Sequence, residues 1–88
     1  MEEISEEVRS LLALHLRGAS IELEDVYGIR LGGSIIWEGF NELSQSERQR
    51  RIWDIYRTHL PLEHQMRLAT FLTFTPNEIA DMEAVLVA

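Results

Sequence analysis

The stretch Ser20-Ile-Glu-Leu-Glu-Asp-Val-Tyr-Gly-Ile-Arg-Leu-Gly-Gly-Ser-Ile-Ile-Trp37 decides how the chain folds. Its first part, Ser20 to Asp25, alternates polar and apolar residues. That period of two is the pattern of a half-buried strand. Val26-Tyr27-Gly28-Ile29 reads as a turn, because Gly28 accepts positive φ at little cost. A second strand then runs from Arg30 to Trp37. Gly32-Gly33 interrupts its side-chain pattern and predicts a bulge or a close approach of another backbone.

Helices are expected on both sides of this hairpin. Before it, Ile4, Val8, Leu11, Leu12 and Leu16 recur at helical spacing, so residues 2–17 form an amphipathic helix that Gly18 ends. After it, Ser44-x-x-Glu47 is a capping box, in which each side chain satisfies a free amide of the other residue. It opens a second helix reaching His59, with Leu43 joining the core. Pro61 suits the first position of a short third helix, Pro61 to Met66. Leu68 to Phe74 is rich in β-formers and reads as a third strand. Thr75-Pro76-Asn77-Glu78 repeats the capping logic. It starts a last helix at Pro76 that directs Ile79, Met82, Val85 and Leu86 towards the core. The predicted order is α-β-β-α-α-β-α in one domain spanning residues 1–88: an α+β fold with a three-stranded sheet covered by helices.

Composition limits the function. The chain has 88 residues, 45% of them hydrophobic and 26% charged, which is globular rather than disordered composition. It has no cysteine, so disulfides, thiolate ligands and thiol catalysis from this chain are excluded. No apolar run approaches the roughly 18–20 residues of a membrane span. The N-terminus is acidic and helix-like rather than a basic signal peptide. A cytoplasmic location is expected.

Candidate chemistry is sparse. His15, His59 and His64 show no HxxxH or HExxH spacing, so no metal site is expected from their spacing. They read as surface or boundary residues. No nucleophile–base motif, phosphate loop or paired carboxylates stand out, so the protein is expected to be non-enzymatic.

The run Ser44-Gln-Ser-Glu-Arg-Gln-Arg-Arg-Ile-Trp53 is the exception in an acidic chain of net charge −7. Arg48, Arg50, Arg51 and Arg57 supply half of the eight basic residues. At about 100° per residue, Glu47, Arg50, Arg51, Asp54, Arg57 and Thr58 share one helix face. Ile52, Trp53, Ile55, Tyr56 and Leu60 share the other. Glu47–Arg51 and Arg50–Asp54 are then i,i+4 pairs, each contributing a few tenths of a kcal/mol. A solvated, ion-paired face is expected. Arg48, at the edge of the apolar stripe, is placed to turn towards a neighbouring element. Trp37, Trp53 and Tyr56 belong to the core or its edge rather than to base-stacking platforms.

Two motifs carry a resemblance. Ile35-Ile36-Trp37-Glu38-Gly39-Phe40, then Ser44, Arg48-Gln49-Arg50 and Ile52-Trp53, resembles the signature of the BolA-like family. Thr73-Phe74-Thr75-Pro76-Asn77-Glu78 resembles its closing Thr-x-Thr-Pro-x-Glu. The resemblance covers about residues 2–80, and Gln49 resembles the acid-stress-induced branch. It departs from the pattern at Trp37 and Glu42, which stand where the family has Ser and Gly.

What the resemblance implies is a class II KH-like fold and one of two roles. One is partnership with a monothiol glutaredoxin, sharing a [2Fe-2S] cluster in iron–sulfur homeostasis. The other is stress-linked transcription regulation through DNA. The positions of the family's cluster ligands align with Arg30 and Arg67, and guanidinium does not ligate iron. The expectation is therefore a regulatory protein that acts through a protein partner and holds no cofactor. Arg48, Gln49, Arg50, Arg67 and Arg30 are its candidate contact residues. Nucleic-acid binding is the alternative, disfavoured by the net charge.

Overall fold

The hairpin is present as read. Tyr27 and Gly28 adopt φ of 57° and 68°, left-handed at both central positions of the Val26–Ile29 turn, and with Ile29 they form a three-residue loop between the paired Val26 and Arg30. The loop is held by Ile29 N donating to Val26 O at 3.1 Å and Gly28 N donating to Asp25 Oδ1 at 2.9 Å. The strands it joins are β1 (Ser20–Val26) and β2 (Arg30–Ile36), paired antiparallel. This computed structural model describes residues 2–87, with side chains as far as Val85.

Around the hairpin lie α1 (Glu2–His15), a 3₁₀ turn (Glu38–Phe40), α2 (Gln45–His59), α3 (Leu62–Gln65), β3 (Leu68–Phe74) and α4 (Pro76–Val87). The class is α+β, and the element order is the expected one apart from the 3₁₀ turn. The strand order is β1-β2-β3, and β3 runs parallel to β2. A parallel partner needs a crossover connection, which α2 and α3 provide.

Gly33 explains its own presence. Its φ is 153°, and a Cβ there would sit 2.0 Å from Glu22 O of β1. The register of β2 against β3 also shifts between Leu31 and Gly33. The glycine pair thus marks both a close approach and an irregularity of pairing.

One face of the sheet carries the core. Val8, Leu12 and Leu16 from the α1 segment, Ile52 and Tyr56 from α2, and Phe40 pack on Leu31, Ile35, Leu68 and Phe71. Each large apolar side chain buried this way contributes about 1.5–3 kcal/mol. Tyr56, Phe71 and Trp53 meet edge-on, with ring centroids 6.0 Å apart for Tyr56–Phe71 and 5.1 Å for Trp53–Tyr56. Trp37 is half-buried, and its Nε1 donates to Arg17 O at 2.9 Å. Glu22, Glu24 and Leu72 lie on the opposite, open face beside Ser34.

Three expectations are corrected. The first helix stops at His15, although Leu16 N still donates to Leu12 O at 2.7 Å before Gly18 turns left-handed at φ 84°. Pro61 caps α3 instead of occupying its first position, because its ψ of 154° is extended. The third correction is the largest. Met82 and Val85 of α4 are 49% and 77% exposed, and α4 contributes nothing to the buried core among the described residues. The face of the sheet that needs cover is already filled by α1 and α2. The side chain of Leu86 lies outside the described residues.

Candidate interaction surface

Both capping boxes form. Ser44 N donates to Glu47 Oε1 at 3.1 Å, and Glu47 N donates to Ser44 Oγ at 3.2 Å. These bonds to Ser44 hold the Glu47 carboxyl below its usual range. At α4, Thr75 N donates to Glu78 Oε1 at 2.8 Å and Glu78 N to Thr75 Oγ1 at 3.1 Å. The caps fix where α2 and α4 start, and so where their side chains meet.

They meet at Arg48, which turns inward and is only 5% exposed. Its Nη1 and Nη2 donate to Glu78 Oε1 and Oε2 at 2.8 and 3.1 Å, a two-pronged contact. Its Nε donates to Leu43 O at 3.1 Å, and its Cζ lies 5.7 Å from the centre of the Phe40 ring. The Arg48 fork is the first cause that holds the Glu78 carboxyl below its ordinary value. Arg48 thus turns towards a neighbouring element, as its place at the edge of the apolar stripe suggests, and as a candidate contact residue it is already engaged. The guanidinium cannot reach a partner without abandoning Glu78.

Gln49 is also turned inward. Its Nε2 donates to Phe71 O at 2.7 Å. Thr73 O receives Gln45 Nε2 at 3.5 Å and Arg48 Nη1 at 3.4 Å. These carbonyls lie on the outer edge of β3, because the next one, Phe74 O, faces β2 and accepts from Trp37 N at 2.9 Å. Side chains from one turn of α2 therefore occupy the edge where a further strand would pair.

The outer face of α2 is solvated, as expected, but paired differently. Arg57 takes Asp54, three residues before it. Arg51 lies over the Trp37 ring, 5.1 Å from its centre. Glu47 is engaged by its cap. Neither expected i,i+4 pair forms an ion pair among the described residues. Arg50 is exposed and makes no ion pair among them.

Arg30 and Arg67 lie far from Arg48 in sequence but share one end of the sheet. Leu31 pairs with Leu68, and Leu31 N donates to Arg67 O at 2.8 Å. Arg30 Nη1 donates to Met66 O at 3.2 Å. Both arginines are exposed. Around them stand Tyr27, Ile29 and Met66, exposed by 92%, 66% and 67%. Tyr27 and Ile29 project with the hairpin loop, and Met66 ends α3. Beside Arg67, His64 Nδ1 is 3.2 Å from Glu7 Oε1. Sequence reading singled out both arginines but missed this apolar company. The available signal was two large apolar residues flanking Gly28, where turns favour polar ones.

Among the described residues, no three His, Asp or Glu side chains converge on one point. At this sheet end Arg30 and Arg67 present guanidiniums, which stay protonated and do not ligate metal ions.

A three-stranded sheet with one parallel and one antiparallel pairing, helices on one face and a capped helix after the last strand defines a small α+β class. Within it, the fold is that of BolA-like proteins. BolA1 from Arabidopsis thaliana superposes with a TM-score of 0.69 at 22% identity, covering 85% of this chain and 94% of that one. The BolA domain of SufE1 from Arabidopsis thaliana gives 0.67 at 24% identity, covering 83% and 92%. No protein-family model matches the sequence, and no curated protein is detectably similar to it.

Proposed function

We propose that this chain is a non-enzymatic BolA-like interaction protein that docks a protein partner at the Arg30–Arg67 end of its sheet. One observation carries the reading. Three large apolar side chains, Tyr27, Ile29 and Met66, stand exposed around two arginines on an otherwise acidic molecule. Aromatic, Met and Arg side chains are the types enriched at protein interfaces. The fold likeness and the motif resemblance make a monothiol glutaredoxin the partner of first choice, with iron–sulfur homeostasis or stress response as the setting.

The donor set argues that the partnership is free of a cluster held by this chain. Arg30 and Arg67 cannot donate to iron, and there is no cysteine. Nucleic-acid binding draws less support. Of the four α2 arginines, Arg48 is buried against Glu78, Arg51 covers Trp37 and Arg57 holds Asp54. Too few cations remain to offset a net charge of −7.

The test is a titration of the intact protein with a purified monothiol glutaredoxin, in apo and cluster-loaded forms. Binding should weaken on Tyr27→Ser and on Arg67→Glu, and persist in Arg50→Glu. The visible spectrum of the loaded glutaredoxin should stay unchanged. Absence of binding would overturn the partner, and a new imidazole-ligated cluster spectrum would overturn the cluster-free reading.

A further inference from the structure

The most unusual polar juxtaposition lies away from the docking surface. His15 ends α1 and His59 ends α2. Their ring centroids are 4.6 Å apart, with the planes inclined by 37°. The Nε2 of His15 is buried without a hydrogen-bond partner. A buried ring nitrogen left unsatisfied is destabilising, so the contact calls for an explanation. Asp54 and Thr58 line the same cleft, which has a volume of about 300 Å³. Arg51 also borders it, but its guanidinium lies over the Trp37 ring. The site stands apart from the proposed docking surface. His64 bonds Glu7 in the first half of α1, whereas His15 is the last residue of that 14-residue helix.

The geometry points to a two-imidazole site for a divalent late transition ion, Ni²⁺, Cu²⁺ or Zn²⁺, bridging the ends of α1 and α2. Neutral imidazole suits these ions, and bonds of about 2.0–2.1 Å place two ligating nitrogens roughly 3.3 Å apart in a tetrahedral site. A centroid separation of 4.6 Å sets the two imidazoles side by side, as a shared ion requires. His15 and His59 supply two ligands, and water completes the shell. The Asp54 carboxylate on the rim adds attraction for a cation, although its Oδ1 also holds Arg57. The ligands come from residues 44 positions apart (59 − 15). Ion binding would therefore link two helices of the core and stabilise the native state in proportion to occupancy.

The experiment titrates tag-free, full-length protein with Ni²⁺ and with Zn²⁺ at pH 7.5, by calorimetry and by thermal unfolding. One saturable equivalent and a rise in Tm are expected. His59→Phe keeps a ring against His15 but has no ligating nitrogen. It should leave the metal-free Tm near wild type, weaken binding at least tenfold and abolish the metal-induced rise. His15→Asn should weaken binding similarly, and His64→Asn should not. The inference is overturned if no saturable binding occurs below about 1 mM metal. It is equally overturned if His59→Phe binds like wild type, or if His64→Asn is the variant that loses binding.

Discussion

Arg48 and Glu78 are joined by two parallel N–H···O contacts of 2.8 and 3.1 Å, across 30 residues of sequence. The contact ties the first turn of α2 to the first turn of α4. It is the ion pair that fastens α4, which brings no side chain into the buried core among the described residues. The Arg48 side chain is 6% exposed and that of Glu78 41%. The pair is therefore half-screened by water, and its energy lies between that of a buried and a surface pair.

Removing the buried partner should cost more than removing the exposed one. Arg48→Ala leaves Leu43 O without its side-chain donor and Thr73 O with Gln45 alone, opens space over Phe40, and should destabilise by about 2–3 kcal/mol. Arg48→Lys cannot reproduce the fork and should recover less than half of that loss. Urea midpoints at constant m value measure both. An Arg48→Ala protein as stable as wild type would show the fork to be energetically idle.

The acid limb of stability follows from the lowered pKa values of Glu78 and Glu47. Each carboxyl titrates lower in the folded chain than its ordinary 4.5. Their stabilisation is thus fully present above that value and is lost as pH falls through the folded-state pKa. Urea midpoints should be level from pH 7 to about 5.5 with respect to these groups and fall below pH 4.5. Glu78→Gln should flatten part of that fall. A variant with the wild-type pH slope would separate Glu78 from acid unfolding.

Neighbouring glycines should respond in opposite ways to alanine. At Gly33 a Cβ meets Glu22 O at 2.0 Å and φ is 153°, so Gly33→Ala must displace β1 from β2. The expected cost is roughly 3 kcal/mol or more, enough to prevent folding of so small a domain. At Gly32 the nearest atom to a new Cβ is the Ala69 Cβ at 3.6 Å, an ordinary contact. Gly32→Ala should change stability by less than about 1 kcal/mol. Equal effects at the two sites, read by circular dichroism and thermal melts, would refute the close approach.

The guard on β3 predicts solution behaviour. Gln45→Leu combined with Gln49→Leu removes the side-chain donor from Phe71 O and one of two from Thr73 O, which keeps Arg48 Nη1, and so thins the cover over an uncharged edge of β-forming residues. The double variant should associate at concentrations where the wild type sediments as a single species. Unchanged sedimentation would mean that the edge needs no cover.

Local rules carried much of the fold. The two S/T-x-x-E boxes placed the starts of α2 and α4, and Tyr27-Gly28 placed the hairpin, because caps and turns are settled within four residues. The direction of α4 was not legible. Ile79, Met82 and Val85 form an apolar face, but period alone does not say whether the sheet has room for it, and α1 and α2 had already filled that room. Arg48 was visible as an edge residue of an apolar stripe, yet its partner lies across the fold. The register that joins Arg30 to Arg67 is likewise a tertiary fact. Arg48 and Gln49 drew attention as contact residues because they sit in a cationic run. The structure uses both to fasten α2 onto β3 and α4.

The most direct test of a docking surface at the Arg30–Arg67 end is amide chemical-shift mapping of the isotope-labelled protein during titration with an apo monothiol glutaredoxin. The account predicts that residues 27–31 and 64–68 shift most, while Arg50, Arg51 and Arg57 stay near their free positions. Perturbations confined to the outer face of α2, or the same face responding to duplex DNA while glutaredoxin produces none, would contradict it.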